Sequence, residues 1–364
     1  MSTVSEARRP AAPARAADPC GVQVRHPETG ETHTFDLARN DLLLKAAIAQ
    51  GIDYPHNCRV GVCGTCKTRL VSGRVSPMVD LALSPLTNAE IEAGYVLACQ
   101  AKVRGDLVVE ARIGHHALLP VRMVPAKVVR WHRLPGDVID LRLALDEPVA
   151  YHAGQYCTIA ESGSFTRRSY SYYDAPPEGE GAAASEVGFL VKRLPGGRFS
   201  EWLFEKDRTG TRFWIEGPYG VMGVDDLERD GLCVAGGTGL APILSIVADR
   251  LRRSATAKFT IVFGVRTQQD VFANDRLRDL LARHGARVRL VTILSHEPEG
   301  SDWTGARGLV TAALTPELGV DYASTAAFIC GNLAMVEAVE RRLRALGVPA
   351  GRIHADRFVP SGTP

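Results

Sequence analysis

The sequence has no uninterrupted apolar run of about 18 residues, the length a membrane-crossing helix needs, so no membrane span is expected. It also lacks a dominant charge. With 43 Lys and Arg against 41 Asp and Glu, the formal net charge is +2, which argues against a nucleic-acid-binding protein. No internal repeat is visible. Residues 1–20 are rich in Ala, Pro and Arg without the continuous apolar stretch of an export signal, and their prolines oppose an amphipathic transit helix. They read as a disordered tail containing Cys20, and the chain as cytoplasmic. A disulfide framework is not expected, because that compartment is reducing and a chain of 364 residues can bury a core without one.

What is present fits a multidomain protein. At roughly 150 residues per domain, the length implies about two or three domains, and 45% hydrophobic with 23% charged residues is ordinary globular composition. Residues 21–113 run from strand to helix to a cysteine-bearing loop and end in a strand over 107–111. Asp41 is the expected N-cap of a helix over 42–49, which Gly51 stops. After a connector over 114–120, short β-like runs (127–131, 138–145, 155–159) are separated by turn signals such as Pro135-Gly136 and Glu147-Pro148, a pattern that predicts an all-β barrel. Residues 174–185, rich in Pro, Gly, Glu and Ala, read as a flexible insertion. From about residue 230 the rhythm becomes strand (232–235), helix (242–252), strand (259–265), helix (275–284), strand (288–294), strand (326–330), helix (334–346). That alternation predicts a parallel sheet covered on both faces.

Three of the eight cysteines cluster as Cys58-Arg-Val-Gly-Val-Cys63-Gly-Thr-Cys66, and Cys99 follows after 32 intervening residues. Three thiolates from one loop and a fourth from a distant point are the ligand pattern of a plant-type [2Fe-2S] cluster. Zinc usually takes two short ligand pairs instead. Gly61 and Gly64 suit a loop that must curl and bring amides toward sulfur. Cys157 and Cys233 lie in strand-like runs and read as buried thiols.

The stretch over 41–73, with Tyr54-Pro55-His56-Asn57 before the cysteines and Lys67-Thr68-Arg69-Leu70 after them, resembles a plant-type ferredoxin of the β-grasp fold. Val96-Leu97-Ala98-Cys99-Gln100 is similar to the segment bearing the fourth ligand. The chain after the tail resembles the reductase components of bacterial multicomponent oxygenases (Rieske-type or diiron), in which a ferredoxin is fused to a ferredoxin-NAD(P)+ reductase-like module. The domains expected are a ferredoxin over 21–113, an antiparallel Greek-key β-barrel for FAD over 121–226 and a doubly wound parallel-sheet α/β domain for NAD over 227–364.

Arg168-Ser169-Tyr170-Ser171 offers a cation, an aromatic face and a small donor, the three groups a flavin needs. By itself such a tetrapeptide is more often an ordinary strand. Its weight comes from Gly196-Gly197-Arg198-Phe199-Ser200, which precedes a helix-like stretch whose amides can cradle pyrophosphate. The resemblance implies FAD contacts from Arg168, Tyr170 and Ser171, with Gly197 and Ser200 near the phosphates, and likens Gly217-Pro218-Tyr219-Gly220 to the turn closing that domain. Gly236-Gly237-Thr238-Gly239-Leu240-Ala241-Pro242, between a strand and a helix, is placed to bind a dinucleotide phosphate. It departs from G-x-G-x-x-G and is similar to the ferredoxin-reductase type. Phe263-Gly264-Val265-Arg266-Thr267, Cys330-Gly331-Asn332 and Asp356-Arg357-Phe358 complete the match. By the same resemblance Cys330 and Gly331 lie beside the nicotinamide and Phe358 near the flavin. Asn332 stands where the family commonly has proline.

Arg266 is the one cation placed for an NADP phosphate, but Asp270 would repel it, so NADH is expected. The function implied is NADH oxidation with electrons passing through FAD and the cluster to a terminal oxygenase, or an intermediary carrier, docked at the ferredoxin domain. Ser171, Cys330 and Phe358 would position and polarise; no acid or base is required. A deoxygenating or desaturating partner would use the same path. A redox-sensing module without turnover is the alternative outside enzymes, and the intact 236–242 turn argues against it. Residues 21–113 carry ten Lys and Arg and ten Asp and Glu, so docking should rest on local contact more than on long-range steering.

Overall fold

The computed structural model describes residues 19–358 apart from 28, 57, 58, 60, 62–65, 78–85, 87, 112, 114–118, 162–166, 180, 221 and 224–228. Two compact units result, residues 1–54 with 59–114, and residues 55–58 with 115–364. Among the described residues no helix is long and apolar enough to cross a membrane.

The first unit contains β1 (Cys20–Arg25), β2 (Thr32–Leu37), α1 (Leu43–Ala49), β3 (Lys67–Ser72), β4 (Val75–Pro77), α2 (Asn88–Glu92), β5 (Tyr95–Leu97), β6 (Ala101–Val103) and β7 (Leu107–Glu110). Five strands form a sheet in the order β2-β1-β7-β3-β5, with β1 parallel to β7, and β4 pairs with β6. Val22 and Val24 alternate with exposed or half-buried neighbours along β1, so one face of the sheet is apolar. It packs with Leu43, Leu44 and Ala47 of α1 and with Tyr54 in one core. Two expectations are corrected here. Cys20 is not in a tail; it opens β1 opposite Leu37 and is buried. Nor does Asp41 cap α1. Leu42 holds the N-cap position, because Asp41 is drawn into a backbone bond from Val103 and Leu42 bridges to Lys102.

The second unit begins with an antiparallel sheet of β8 (Arg122–Leu134), β9 (Val138–Val149), β10 (Tyr156–Glu161), β11 (Arg167–Ser171), β12 (Ala184–Lys192) and β13 (Arg212–Tyr219), ordered β11-β10-β13-β8-β9-β12. The end strands β11 and β12 lie beside each other and close it into a barrel. Helix α3 (Arg198–Glu205) packs Phe199, Leu203 and Phe204 into the barrel core. Pro135-Gly136 does form the β8–β9 turn, with Gly136 and Asp137 both at positive φ. Glu147-Pro148 is not a turn. It lies within β9 beyond the last β8 partner, Leu145, where proline's missing N–H costs no ladder bond. Likewise Gly217-Pro218-Tyr219 is the end of β13, with a cis Gly217-Pro218 peptide, and only Gly220 leaves the strand.

The remainder is a parallel sheet of β14 (Gly231–Gly236), β15 (Phe259–Val265), β16 (Val288–Leu294), β17 (Ala306–Arg307), β18 (Ala326–Asn332) and β19 (Ile353–Phe358), ordered β17-β16-β15-β14-β18-β19. It carries α4 (Leu240–Arg253), α5 (Asp275–His284) and α6 (Leu333–Ala345). β14 and β18 are buried along nearly their whole length, which is why both read as continuous apolar runs. The chain adds strands outward from β14 in one direction and then returns to add β18 and β19 on the other side. The direction of winding therefore reverses between β14 and β18, the place where open α/β sheets bind ligands at their strand C-termini.

Barrel and parallel sheet share a core: Val138, Tyr173, Leu190 and Met222 cluster with Leu240, Ile246, Phe263 and Cys330. The stretch expected to be a flexible insertion belongs to this junction. Asp174 O accepts from Ser245 Oγ at 2.7 Å, Pro176 O accepts from Arg252 Nη2 at 2.7 Å, and Ala184 already opens β12. Its prolines and alanines made it look loose, but its order comes from groups on α4 that are some 70 residues away.

Candidate functional site

Of the four expected cluster ligands, Cys58 and Cys63 lie outside the described residues. Cys66 and Cys99 are both buried and neither forms a disulfide. They are fixed to one another through backbone. The Cys66 carbonyl accepts from Ala98 N at 3.0 Å and from Thr68 Oγ1 at 3.1 Å, and the Thr68 hydroxyl shares its other bond, 2.7 Å, with the buried Tyr54 hydroxyl. Burial is the main cause that pushes the Tyr54 phenol well up, so it stays a neutral hydrogen-bonding group.

The loop between the expected ligands is wound left-handed at Arg59, φ 57°, and at Gly61, φ 86°. A Cβ on Gly61 would lie 2.8 Å from Gln100 Cγ, so only glycine fits. Gln100, missed at the level of sequence, ties the site together. Its Nε2 donates to Arg59 O at 3.3 Å and approaches Cys99 Sγ at 3.6 Å. Buried thiols, an amide aimed at sulfur and a tightly wound loop fit an iron–sulfur cluster, which takes thiolate ligands and N–H donors to them.

In the barrel, β11 sets Arg168, Tyr170 and Ser171 beside β10, with Ser171 opposite Tyr156. Tyr170 packs against Phe199 at 5.8 Å and Phe189 at 6.4 Å between ring centroids. Burial raises its hydroxyl pKa, partly opposed by Arg168. Ser171 is buried, and its Oγ has no hydrogen-bond partner among the described residues. An orphaned buried hydroxyl on the strand expected to meet a flavin edge fits a bound acceptor or donor there.

Gly197 is the N-cap of α3, whose first-turn amides have no intrahelical acceptor. Ser200, expected near phosphate, instead closes the turn with its hydroxyl. Ser200 Oγ accepts from Leu194 N at 3.1 Å and lies within 3.3 Å of the Leu194 and Gly197 carbonyls. The other end of α3 is capped by three side chains that the motifs did not reveal. Trp131 Nε1 donates to Leu203 O at 3.0 Å, Arg208 Nε to Trp202 O at 3.1 Å, and Arg133 to Phe204 O. Cations at the C-terminus and free amides at the N-terminus both suit an anion at Gly197.

At the reversal point, β14 runs into a 3-10 turn over Gly237–Gly239 and then α4, with Pro242 in its first turn. Gly237 has φ 53° and open space where a side chain would project, whereas a Cβ on Gly239 would lie 2.2 Å from Cys330 O and one on Gly236 2.5 Å from Met335 Sδ. The turn is therefore open on one side and packed on the other, with Thr238 half-buried at its middle. This shape fits a phosphate group approaching backbone amides. Cys330 and Gly331 lie next to it near the end of β18. Cys330 is buried, and burial, helped by Asp356, holds its thiol pKa well above the usual value. Asn332 caps α6 through Oδ1, which accepts from Met335 N at 2.9 Å, and it pairs with Phe358 in the β18–β19 register. Phe358 is half-buried against the shared core.

Arg266 is exposed at the end of β15. Asp270 is committed to a capping box with Thr267, 3.0 Å between Oδ2 and Oγ1, and pairs with Lys192 at 3.5 Å. A second carboxylate, Glu297, accepts from Gln268 N at 2.6 Å. The fold thus brings one more carboxylate and one more cation, Lys192, to this strand end than sequence order suggested.

The fold and these three constellations define an electron-transfer flavoprotein with an iron–sulfur unit. Comparisons with known proteins place it. Residues 27–104 match the 2Fe-2S iron-sulfur cluster binding domain, 125–223 the oxidoreductase FAD-binding domain and 233–341 the oxidoreductase NAD-binding domain. The chain is 36% identical over 345 residues to the xylene/toluene monooxygenase electron transfer component XylA of Pseudomonas putida, covering 93% of this chain and 96% of that protein. It is 33% identical to the reductase component of the naphthalene 1,2-dioxygenase system of Pseudomonas putida, covering 88% and 94%. A crystal structure of the Amycolatopsis cytochrome P450 reductase GcoB superimposes with a TM-score of 0.73 at 29% identity, covering 94% of this chain and 100% of that one. The chain belongs to the family of ferredoxin-fused flavoprotein reductases that form the electron-transfer components of bacterial multicomponent oxygenases. Its cofactors are a [2Fe-2S] cluster, FAD and NADH.

Proposed function

We propose that this protein oxidises NADH and delivers single electrons to a terminal oxygenase, or to a carrier serving one, that docks at the ferredoxin unit. The observation that carries this reading is the coexistence in one chain of a two-electron entry and a one-electron exit, namely the open glycine turn at Gly237 and the buried Cys66–Cys99 pair. FAD supplies the conversion of hydride into single electrons, and the cluster supplies the outlet.

In this reading residues 21–113 form the ferredoxin domain, 121–226 the flavin domain and 227–364 the nicotinamide domain. Cys58, Cys63, Cys66 and Cys99 ligate the cluster, and Gln100 orients Cys99. Arg168 and the α3 amides at Gly197 hold the flavin phosphates, Tyr170 covers the ring and Ser171 Oγ bonds its reactive edge. Ser200 acts through the turn it closes. Gly236, Gly237, Thr238 and Gly239 admit the nicotinamide cofactor's phosphates and Pro242 starts the helix behind them. Cys330 and Gly331 line the nicotinamide and Phe358 shields the flavin. Asp270 and Glu297, flanking Arg266, favour NADH over NADPH through repulsion of an added phosphate. No side chain is needed to move a proton. The family membership and the absence of a membrane-crossing helix among the described residues support a cytoplasmic site of action.

Anaerobic rapid mixing with NADH tests the proposal. Loss of flavin absorbance followed by the paramagnetic signal of a reduced cluster is expected. Flavin bleaching with a cluster that stays oxidised would overturn the order.

A further inference from the structure

Resting on that reading, we infer that Asp174 is a positioning residue that sets the alignment between the flavin strand and the nicotinamide turn. It stands three residues beyond Ser171, where β11 has ended. Both its carboxylate and its carbonyl have partners, which come from both halves of the second unit. Its carboxylate lies 3.2 Å from Arg142 Nη2 on β9 and accepts from Arg276 Nε on α5 at 2.7 Å. Its carbonyl accepts from Ser245 Oγ on α4 at 2.7 Å and from Tyr151 Oη at 3.2 Å.

Two features make this more than a stabilising contact. First, α4 is the helix that the glycine turn feeds, and Ser245 is fully buried within it. The path from Ser171 to the turn is three residues of chain, one hydrogen bond and little more than one helical turn. Second, the Asp174 side chain is largely shielded, at 12% exposure, so its ion pairs with Arg142 and Arg276 are held in a geometry that surface pairs lack. Arg130 and Asp275, 2.9 Å apart, and Lys192 and Asp270 span the same junction further out. Those are peripheral; Asp174 ties the chain just after Ser171 to the helix carrying the turn, and Pro176 O, which accepts from Arg252 Nη2, adds a second tie two residues on. Hydride transfer requires its two reacting atoms near van der Waals contact, and a displacement of about 1 Å costs on the order of a hundredfold in rate. Because flavin and nicotinamide sit on different halves, the junction has to supply that accuracy.

The test uses the full-length holoenzyme and compares wild type, Asp174→Ala, Asp174→Asn and Ser245→Ala. In D174A, flavin reduction by NADH under single turnover should slow on the order of a hundredfold. NADH affinity should change by less than about threefold, because the binding groups themselves remain. The long-wavelength charge-transfer absorbance of the reduced enzyme with NAD+ should be lost, and the isotope effect with 4-deuterated NADH should rise as hydride transfer becomes limiting. D174N, which keeps the shape and the backbone contacts, should recover part of the rate. S245A, which deletes one hydroxyl, should reproduce the spectral loss in milder form and keeps the test open if D174A does not fold.

A lowered melting temperature with unchanged absorbance and isotope effect would overturn the proposal and leave Asp174 a structural residue. A wild-type protein that fails to reduce ferricyanide with NADH would instead overturn the functional reading, and the positioning role with it.

Discussion

Gly239 and Cys330 meet backbone to backbone, so closely that a Cβ on the glycine would lie 2.2 Å from the Cys330 carbonyl oxygen. The contact joins the glycine turn after β14 to the end of β18, across the point where the sheet's winding reverses. Replacing Gly239 with alanine must push the turn off β18. NADH-driven reduction should fall by roughly a hundredfold or more, since such a shift misplaces the nicotinamide. FAD content should be unchanged. Flavin absorbance of the purified variant and its titration with NADH check both halves of the statement.

Gln100 is expected to tune the cluster as well as hold the loop. Gln100→Leu keeps the volume but removes the donor facing Cys99 Sγ and Arg59 O. Losing a hydrogen bond to sulfur disfavours the reduced, more negative cluster, so the midpoint potential should move negative. Unfolding should become easier by about 1–2 kcal/mol through the lost bonds. Potentiometric titration monitored by paramagnetic resonance and a thermal melt measure the two effects.

Arg133 should matter for flavin retention although it is remote from the proposed phosphate position. With Trp131 and Arg208 it satisfies the last carbonyls of α3, and with its charge it complements the helix dipole. Arg133→Ala should weaken FAD binding by about 1 kcal/mol, roughly fivefold in dissociation constant. Fluorescence recovery on dilution of the holoenzyme reads this directly.

The buried thiols outside the cluster should be inert. Burial pushes Cys157 up to about 12, partly opposed by the neighbouring Tyr172 hydroxyl, and pushes Cys233 up to about 12, partly opposed by Arg250. Iodoacetamide at pH 8 should leave both unmodified in the folded protein and label both after denaturation. The same shift has a stability sign. An exposed thiol ionises near 9.0, whereas these hold their protons to about 12. Between those values the unfolded state releases protons that the folded state keeps, so stability falls as pH rises from 9 toward 12. Denaturant midpoints across that window should show the decline.

Residues 21–113 balance ten cations against ten anions. Electron delivery to the partner should therefore change by less than about threefold between roughly 50 and 200 mM salt, because little long-range attraction exists to be screened. A steep fall with salt would point to a strongly charged docking patch.

Much of the architecture was legible in the sequence because its signals are local. The strand Phe259–Val265 and helix Asp275–His284 are read off apolar runs and periodicity and occur with those bounds. The cysteine spacing and the glycine turn are motifs whose chemistry needs neighbours in sequence. Local signals misled where a distant group competed. Glu147-Pro148 reads as a turn but completes a strand, Cys20 reads as tail but pairs with Leu37, and Asp41 reads as a cap but is occupied by Val103.

The amino-acid sequence alone determined the order of the three modules and marked the candidate cluster ligands and cofactor-binding turns, since each depends on residue type at short spacing. Only the tertiary structure decided how those pieces are held. Gln100 against Cys99, the three caps on α3, and Asp174 between Ser245, Arg142 and Arg276 join residues up to about a hundred positions apart. Such hydrogen bonds and ion pairs act over a few ångströms of space. They exist only once the chain has brought their partners together.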